Sequence, residues 1–172
     1  ADGGATWTNQ SCDIAEANPD AFFYAFPPVF FNANEGLLAL NAYLPLDSQK
    51  TILCKTTDGG ESWKSFSEVA TYGNVVEFTD AQHIWILGQV INSSSAQPEL
   101  YRSIDGGTTW QNLNSSLPDG YFAINLDFTD SEKGWLIMDT VLPNSSKPDH
   151  YILYASQDGG QTWSQLDARM GD

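Results

Sequence analysis

The stretch Ser103-Ile104-Asp105-Gly106-Gly107-Thr108-Thr109-Trp110 decides the fold, because its core occurs four times in 172 residues. The shared pattern is Asp-Gly-Gly-x-Ser/Thr-Trp, and successive aspartates are 56, 47 and 53 residues apart. A pattern at this spacing predicts one structural unit built several times over. The defining residues of the four copies are Asp2 and Trp7; Asp58, Gly59, Gly60 and Trp63; Asp105, Gly106, Gly107 and Trp110; and Asp158, Gly159, Gly160 and Trp163.

A second pattern precedes three of these motifs and has the same order each time. Phe78 lies seven residues before Trp85, and Phe128 lies seven residues before Trp135. An aspartate follows each phenylalanine by two positions. In the first repeat Phe30 and Leu37 hold the same offset, with Asn32 in the place of the aspartate.

Each repeat predicts four short strands, because apolar runs of four to eight residues alternate with Gly, Asp and Asn turn residues. No stretch keeps a 3.6-residue period, and only residues 13–20 favour a helical turn. We therefore expect an all-β protein, a single segment over residues 1–172. Its parts are an isolated outer strand at 1–12 and three complete four-stranded units at 21–68, 73–114 and 121–168.

The residue types of the motif suit a tight turn between the third and fourth strands. An aspartate accepts hydrogen bonds from backbone N–H groups a few residues on, and glycine adopts positive φ without a steric cost. The tryptophan then covers the hairpin with about 200 Å² of surface. Calcium needs six to eight oxygens, whereas each turn offers one acid, so we expect neither a metal nor a cofactor here.

These residues resemble the Asp-box, or bacterial neuraminidase repeat, of β-propeller proteins. The resemblance implies that each four-stranded unit is a propeller blade with its box away from the active face. The Phe-x-Asp pattern before Trp135 resembles the branch that contains photosystem II assembly factors. Sialidases, sortilin-type receptors and xyloglucanase-type glycosidases share the box.

Three complete blades are fewer than a closed propeller contains, since rings have four to eight. Such a chain would leave apolar surface at both ends. The first box begins at the second residue, which favours a fragment of a longer propeller or a processed product. The alternatives are a ring completed by a different chain and a ring completed by a second copy.

The composition narrows the classes of partner. The chain has 22 acidic and 7 basic residues and a net charge of −15. This excess of acid argues against nucleic-acid binding, which needs Lys and Arg at the phosphates. The apolar runs are shorter than a membrane-spanning helix requires, so we expect no membrane span.

The candidates for catalysis are sparse. A sialidase binds its substrate with three arginines, and this chain has two, Arg102 and Arg169. Acids such as Glu77 and Asp127 stand near strand ends and could face a central channel, although a solvated acidic face explains them as well. The two histidines stand apart and indicate no triad or zinc site. These residues favour a protein that is not an enzyme; the alternative is a fragment of a xyloglucanase-like glycoside hydrolase.

The cysteines and the glycosylation sequons are the residues that indicate the cellular compartment of the protein. Cys12 and Cys54 either form a disulfide or remain two buried thiols, and their positions in different predicted blades favour the thiols. The sequence Asn-x-Ser occurs at Asn9, Asn92, Asn114 and Asn144, which are glycosylation candidates or ordinary polar loops. High Asn, Ser, Thr and aromatic content with little lysine favours an extracellular or periplasmic setting.

Two groups of aromatic residues are expected in the core. Trp85 and Trp135 stand at equivalent mid-strand positions, which predicts burial between blades. The cluster Phe22, Phe23, Tyr24 and Phe26, before two prolines, favours burial at a blade edge; exposed, it could stack on sugars or hold a partner.

The function that fits these observations best is a non-catalytic propeller module outside the cytoplasm that binds a protein or glycan, or a structural subunit of an extracellular assembly. The glycosidase fragment and an assembly factor similar to those of photosystem II are the alternatives.

Overall fold

The computed structural model describes residues 5–6, 9–44, 48–92, 95–117, 122–139 and 151–166. These residues are mostly strands, which confirms the all-β expectation. One short helix, α1, spans Asp13–Ala17, and one 3₁₀ turn spans Asn114–Ser116. The chain divides into two compact units, Ala1–Glu68 and Val69–Asp172.

The first unit holds one sheet, in which the strand order is β1-β3-β4-β5 and β2 pairs with β3. Pro27 and Pro28 lie between β1 and β2, and a proline offers no N–H to a partner strand. The first strand of this unit is therefore split in two. The strands are β1 Phe22–Ala25, β2 Val29–Phe30, β3 Gly36–Leu44, β4 Ser48–Thr56 and β5 Lys64–Val69.

A disulfide joins Cys12 to Cys54 in this unit, with 6.4 Å between their Cα atoms. Cys12 forms an isolated parallel bridge with Trp63, and the Asp13 N–H donates to the Trp63 carbonyl. The thiol alternative assumed that the two cysteines lay too far apart. That prediction was wrong, because the segment before α1 returns to the sheet that contains Cys54. The buried core of the unit consists of Cys12, Leu40, Ala42, Ile52, Cys54 and Trp63.

The second unit holds two four-stranded sheets, and in each the strands follow one another in sequence order. This up-and-down antiparallel arrangement is that of propeller blades. The first of these sheets contains β6 Gly73–Phe78, β7 Ile84–Asn92, β8 Ser95–Ser103 and β9 Gln111–Asn112. The second contains β10 Phe122–Phe128, β11 Gly134–Asp139, β12 Tyr151–Ser156 and β13 Ser164–Leu166.

The core of the second unit lies between its two sheets. Alternate residues of each strand face the neighbouring sheet, as the two-residue period of a strand requires. From β7 and β8 come Trp85, Leu87 and Leu100, and from β10 and β11 come Leu126, Phe128, Leu136 and Met138.

Two expectations about aromatic burial are wrong. Trp135, the counterpart of the fully buried Trp85, is 36% exposed. Phe22 and Tyr24 are 66% and 57% exposed. Sequence periodicity identifies which face of a strand is apolar, but it does not say whether another element covers that face.

Half of the predicted outer strand at 1–12 lies outside the described residues, including Asp2 and Trp7 of the first box. The described residues 5–6 and 9–12 contain no strand, only the isolated bridge of Cys12. The structure shows Cys12 beside Trp63 and places Asn9 at the surface.

Candidate functional site

Each described box is closed by a hydroxyl that stands two residues before the aspartate. In the third box the Ser103 Oγ donates to Asp105 Oδ1 at 2.8 Å and accepts from the Gly107 N–H at 2.8 Å. Thr56 and Ser156 make the same two bonds in their boxes. The hydroxyl therefore ties the start of the turn to its second glycine.

The carboxylate of the box aspartate closes the other half of the turn. Asp105 Oδ1 accepts from the Thr109 N–H at 2.8 Å, and Oδ2 accepts from the Thr109 hydroxyl at 2.6 Å. Hydrogen bonds to a charged carboxylate stabilise its ionised form. The bonds from Thr109 hold the pKa of Asp105 below its usual value, and those from Ser62 do the same for the pKa of Asp58. Burial alone would raise the pKa of Asp158, but bonds from Thr162 and Ser156 outweigh it and lower that pKa.

A second turn stands beside each box, at the loop between the first two main strands of the sheet. The Asp80 carboxylate accepts from the N–H groups of Gln82 and His83, and Asp130 accepts from those of Glu132 and Lys133. Asn32 makes the equivalent two bonds in the first unit. The Phe-x-Asp pattern and its Asn32 variant therefore mark one kind of turn.

The two turns of a sheet are hydrogen-bonded to each other. The first box glycine donates its N–H to a carbonyl of the neighbouring loop: Gly59 to Asn34, Gly106 to Gln82 and Gly159 to Glu132, at 2.9 Å or less. In each sheet, two hydrogen-bonded turns therefore lie side by side at one end of the strands.

The sheets of the second unit meet at a junction that we define by Trp85, Arg102, Phe128 and Gly159. Trp85 stacks on Phe128 with 3.9 Å between ring centroids and 10° between ring planes. The Trp85 indole Nε1 donates to the Gly159 carbonyl at 3.0 Å. A tryptophan of one sheet therefore contacts the box of the next sheet.

Arg102, which pairs with Trp85 across β7 and β8, completes the junction. Its guanidinium lies 5.6 Å from the centroid of the Trp85 ring and donates to the Ser131 carbonyl at 3.0 Å. A Cβ at Gly159 would collide with this guanidinium, and the φ of Gly159 is +72°. Only glycine therefore allows the turn to approach so closely. Burial lowers the pKa of Arg102, while the charges of Asp158 and Glu132 act against that shift.

Two acids, Glu77 on β6 and Asp127 on β10, lie beside this junction. Burial raises the pKa of Glu77, and the charge of Asp127 raises it further. Among the described residues, no group of three or more metal-ligating side chains is placed to hold an ion.

An exposed group of rings lies on the first unit, and we call Phe22, Tyr24, Phe26 and Tyr43 the aromatic platform. Phe22 and Tyr43 are paired across β1 and β3, with ring centroids 6.1 Å apart at 54°. Tyr24 meets Phe26 edge to face, with centroids 5.8 Å apart at 88°. The residues that were expected to cover a blade edge thus form an open, uneven aromatic surface.

The other candidate residues are dispersed. His83 contacts Asp80, with 2.8 Å between Nδ1 and Oδ2. Asn92 ends β7 at the tip of a hairpin, and Asn114 Oδ1 accepts from the Leu100 N–H at 2.7 Å. Asn144, His150 and Arg169 lie outside the described residues.

Sequence reasoning missed Arg102 as a contact between sheets and the exposure of the platform. The sequence did contain a signal for Arg102. An arginine on a strand beside a core tryptophan needs polar atoms near its guanidinium, and these had to come from a neighbouring element. No local signal existed for the platform, since burial depends on what other elements cover.

The comparisons with known proteins agree with the repeats. The BNR/Asp-box repeat model matches residues 154–165, which hold the fourth box. Over 114 residues the chain is 28% identical to the photosystem II assembly lipoprotein Ycf48 of Synechococcus sp. (strain CC9902). The match covers 64% of this chain and 28% of that relative.

The chain is therefore an all-β protein with a BNR/Asp-box repeat at residues 154–165. It is distantly similar to Ycf48. A solved structure titled YCF48 bound to D1 peptide aligns with a TM-score of 0.31 at 15% identity, covering 86% of this chain and 85% of that one. A likeness of that size supports no inference about binding. In the part of the chain that the structure describes, no helix is long and apolar enough to cross a membrane.

Proposed function

We propose that this chain is a non-catalytic propeller segment, located outside the cytoplasm, that binds a protein partner through the aromatic platform. The exposure of Phe22 and Tyr24 is the observation that carries this proposal. Large exposed rings are a cost in solution unless a partner covers them, and aromatic residues are the usual anchors of protein interfaces.

The shape of the platform favours a polypeptide over a sugar. Its ring pairs are inclined by 54° and 88°, so edges and faces alternate across the surface. Apolar side chains can insert between inclined rings, whereas a sugar ring stacks best on one flat face. The net charge of −15 adds attraction for a basic partner.

The disulfide supports the proposed compartment. Disulfides such as Cys12–Cys54 persist in oxidising compartments and are rare in the cytosol. We therefore place the protein in an extracellular or periplasmic setting. The name of the Synechococcus relative, an assembly lipoprotein, is consistent with a role in binding other proteins.

Binding measurements on the oxidised full chain test the proposal. The probes are a panel of basic and apolar peptides and a panel of oligosaccharides that includes xyloglucan. We expect peptide binding that the double variant F22A/Y24A weakens at least tenfold and that F66A, a change at an exposed ring outside the platform, leaves intact. Binding to oligosaccharides alone, or peptide binding that F22A/Y24A does not change, would overturn the proposal.

A glycoside hydrolase is the second candidate, and the raised pKa of Glu77 beside Asp127 is what favours it. A glycosidase needs one acid that stays protonated and a second that is ionised. Release of reducing sugar from xyloglucan that E77Q abolishes would support this candidate. No release by the unmodified chain would leave the binding module as the better account.

A further inference from the structure

Trp135 lies where Trp85 lies, one sheet further along the chain. Trp85 pairs with Glu77 on one side and Arg102 on the other, and Trp135 pairs in the same register with Asp127 and Ala155. Ile137 and Leu153 likewise take the places of Leu87 and Leu100. The face formed by Trp135, Ile137, Tyr151, Leu153 and Leu166, which we call the Trp135 face, therefore repeats the apolar pattern of the junction.

The burial of the two faces differs. Trp85, Leu87 and Leu100 are each 0% exposed. Trp135 is 36% exposed, Tyr151 65% and Leu166 39%. The Trp135 face has the composition of a buried surface but remains open.

The first unit carries the complementary half of such a junction. Phe30 packs edge to face on Trp63 with centroids 5.8 Å apart, as Phe128 packs on Trp163 at 6.1 Å. Yet Phe30 is 45% exposed, whereas Phe128, which Trp85 covers, is 4% exposed. We call Phe30, Gly59 and Gly60 the Phe30 face.

The surroundings of the box glycines show a matching difference. A Cβ at Gly160 would meet Trp163, Phe128 and the Leu100 Cδ2 atom of the neighbouring sheet at 3.3 Å. The three atoms nearest to a Cβ at Gly60 belong to Phe30 and Trp63, which are both residues of the first unit itself. A neighbouring sheet therefore supplies one of the three nearest atoms at Gly160 and none of the three at Gly60.

We propose that the Trp135 face of one copy of this chain docks on the Phe30 face of a second copy, repeating the junction that the chain already contains. Trp135 stacks on Phe30 and its indole N–H donates to the Gly59 carbonyl. Leu153 packs beside Gly60, as Leu100 packs beside Gly160. Ala155 replaces Arg102 at this contact, so the docked faces hold together by apolar packing and one indole hydrogen bond.

The two docked faces differ from each other, so the contact is heterologous and can form a closed ring or a chain of copies. Each copy carries a net charge of −15, and like charges oppose the contact. Salt screens that repulsion, and we expect association to strengthen between about 0.05 and 0.5 M NaCl.

Native mass spectrometry and light scattering on the purified, oxidised chain test this inference. We expect masses at multiples of 18.9 kDa that grow with protein and salt concentration. W135A weakens association about thirtyfold, the loss typical of a tryptophan at the centre of an interface. I104A, a change at a residue that is 59% exposed and belongs to neither face, leaves association unchanged.

Mixing two variants distinguishes this specific contact from nonspecific association. W135A keeps an intact Phe30 face, and F30A keeps an intact Trp135 face, so each variant alone stays monomeric while an equimolar mixture forms pairs that contain one of each. Pairs of W135A with itself, no pairs in the mixture, or a wild-type chain that remains at 18.9 kDa in high salt would overturn the inference. Loss of its thermal transition would show that F30A does not fold, and L153K then replaces it in the mixing experiment. L153K disrupts the Trp135 face and leaves the Phe30 face intact, as W135A does, so a mixture of L153K and W135A must stay monomeric.

None of these variants changes a residue of the aromatic platform, so failure here leaves the proposed function standing.

Discussion

Each box aspartate stabilises its turn by accepting bonds from a hydroxyl and from backbone N–H groups at the same time. For Asp158 the partners are the Ser156 hydroxyl, the Thr162 N–H and the Thr162 hydroxyl, at 2.8, 2.9 and 2.6 Å. The residue types of the motif were sufficient to predict a turn of this kind. The sequence could not show that the turn also bonds to a neighbouring loop, because that contact depends on how the strands pair.

These bonds make stability depend on pH. The pKa values of Asp58, Asp105 and Asp158 are lower in the folded chain than in an unfolded one, where an aspartate titrates near 4. Protons therefore bind the unfolded chain first, and stability that is fully present above about pH 5 is lost as the pH falls through 4 and below. Urea denaturation at pH 6 and pH 3 should show a lower midpoint at pH 3.

The variant D158N tests the origin of that slope. Asn presents an N–H₂ group where Thr162 needs an acceptor, so we expect a loss of about 1 kcal/mol at pH 6 and a shallower fall toward pH 3. D20N, a change at an exposed acid outside the boxes, should leave both values unchanged. An unaltered slope in D158N would contradict the role given to the box.

At the scale of elements, the junction between the two sheets of the second unit depends on what covers it. Trp85 and Trp135 occupy equivalent strand positions, but among the described residues only Trp85 is stacked on and hydrogen-bonded to a neighbouring sheet. The sequence placed both correctly on the apolar face of their strands. It could not predict their different burial, because that difference arises from the neighbouring sheet.

This pair gives a matched prediction. W85A should lower the free energy of unfolding by about 3–5 kcal/mol, the cost of removing a buried aromatic residue. W135A should cost about 1 kcal/mol or less when the protein is dilute. Urea denaturation followed by circular dichroism measures both, and equal losses would mean that the two tryptophans have equivalent surroundings.

Arg102 gives a second prediction at this scale. The Arg102 guanidinium donates to the Ser131 carbonyl while the plane of the group lies over the Trp85 ring, and a lysine ammonium cannot make both contacts. R102K should destabilise the second unit by about 1–3 kcal/mol. Hydrogen exchange should show the loss in β8 and β10, and unchanged protection in both would contradict the contact.

At the scale of the whole molecule, the disulfide closes a loop of 42 residues in the first unit. The chain-entropy model gives a stabilisation of about 4 kcal/mol for a loop of that length. The double variant C12S/C54S should lose about that amount, seen as weaker hydrogen-exchange protection in β3 and β4. The spacing of the cysteines alone did not decide between thiols and a bridge, because the return of the segment before α1 to its own sheet is a tertiary feature.

The repeat pattern was sufficient to predict three antiparallel sheets, because each sheet is encoded locally by its strands and turns. It did not predict that the leading strand of the first sheet is divided into β1 and β2, which gives that sheet five strands. Trp135 and the platform rings Phe22, Tyr24 and Phe26 were predicted to be buried, whereas apolar surface was expected to remain open at both ends of a three-blade chain. Local sequence sets which residues are apolar, and the surrounding elements set which of them remain open.

We infer that this chain works by holding partners on open apolar surfaces. Native mass spectrometry of the protein purified from its own source tests that inference most directly. We expect a mass above that of its own polypeptide, because a second polypeptide is bound; the F22A/Y24A variant should lose a foreign partner and W135A should lose a second copy. A mass equal to that of the single polypeptide at every protein and salt concentration would contradict the inference.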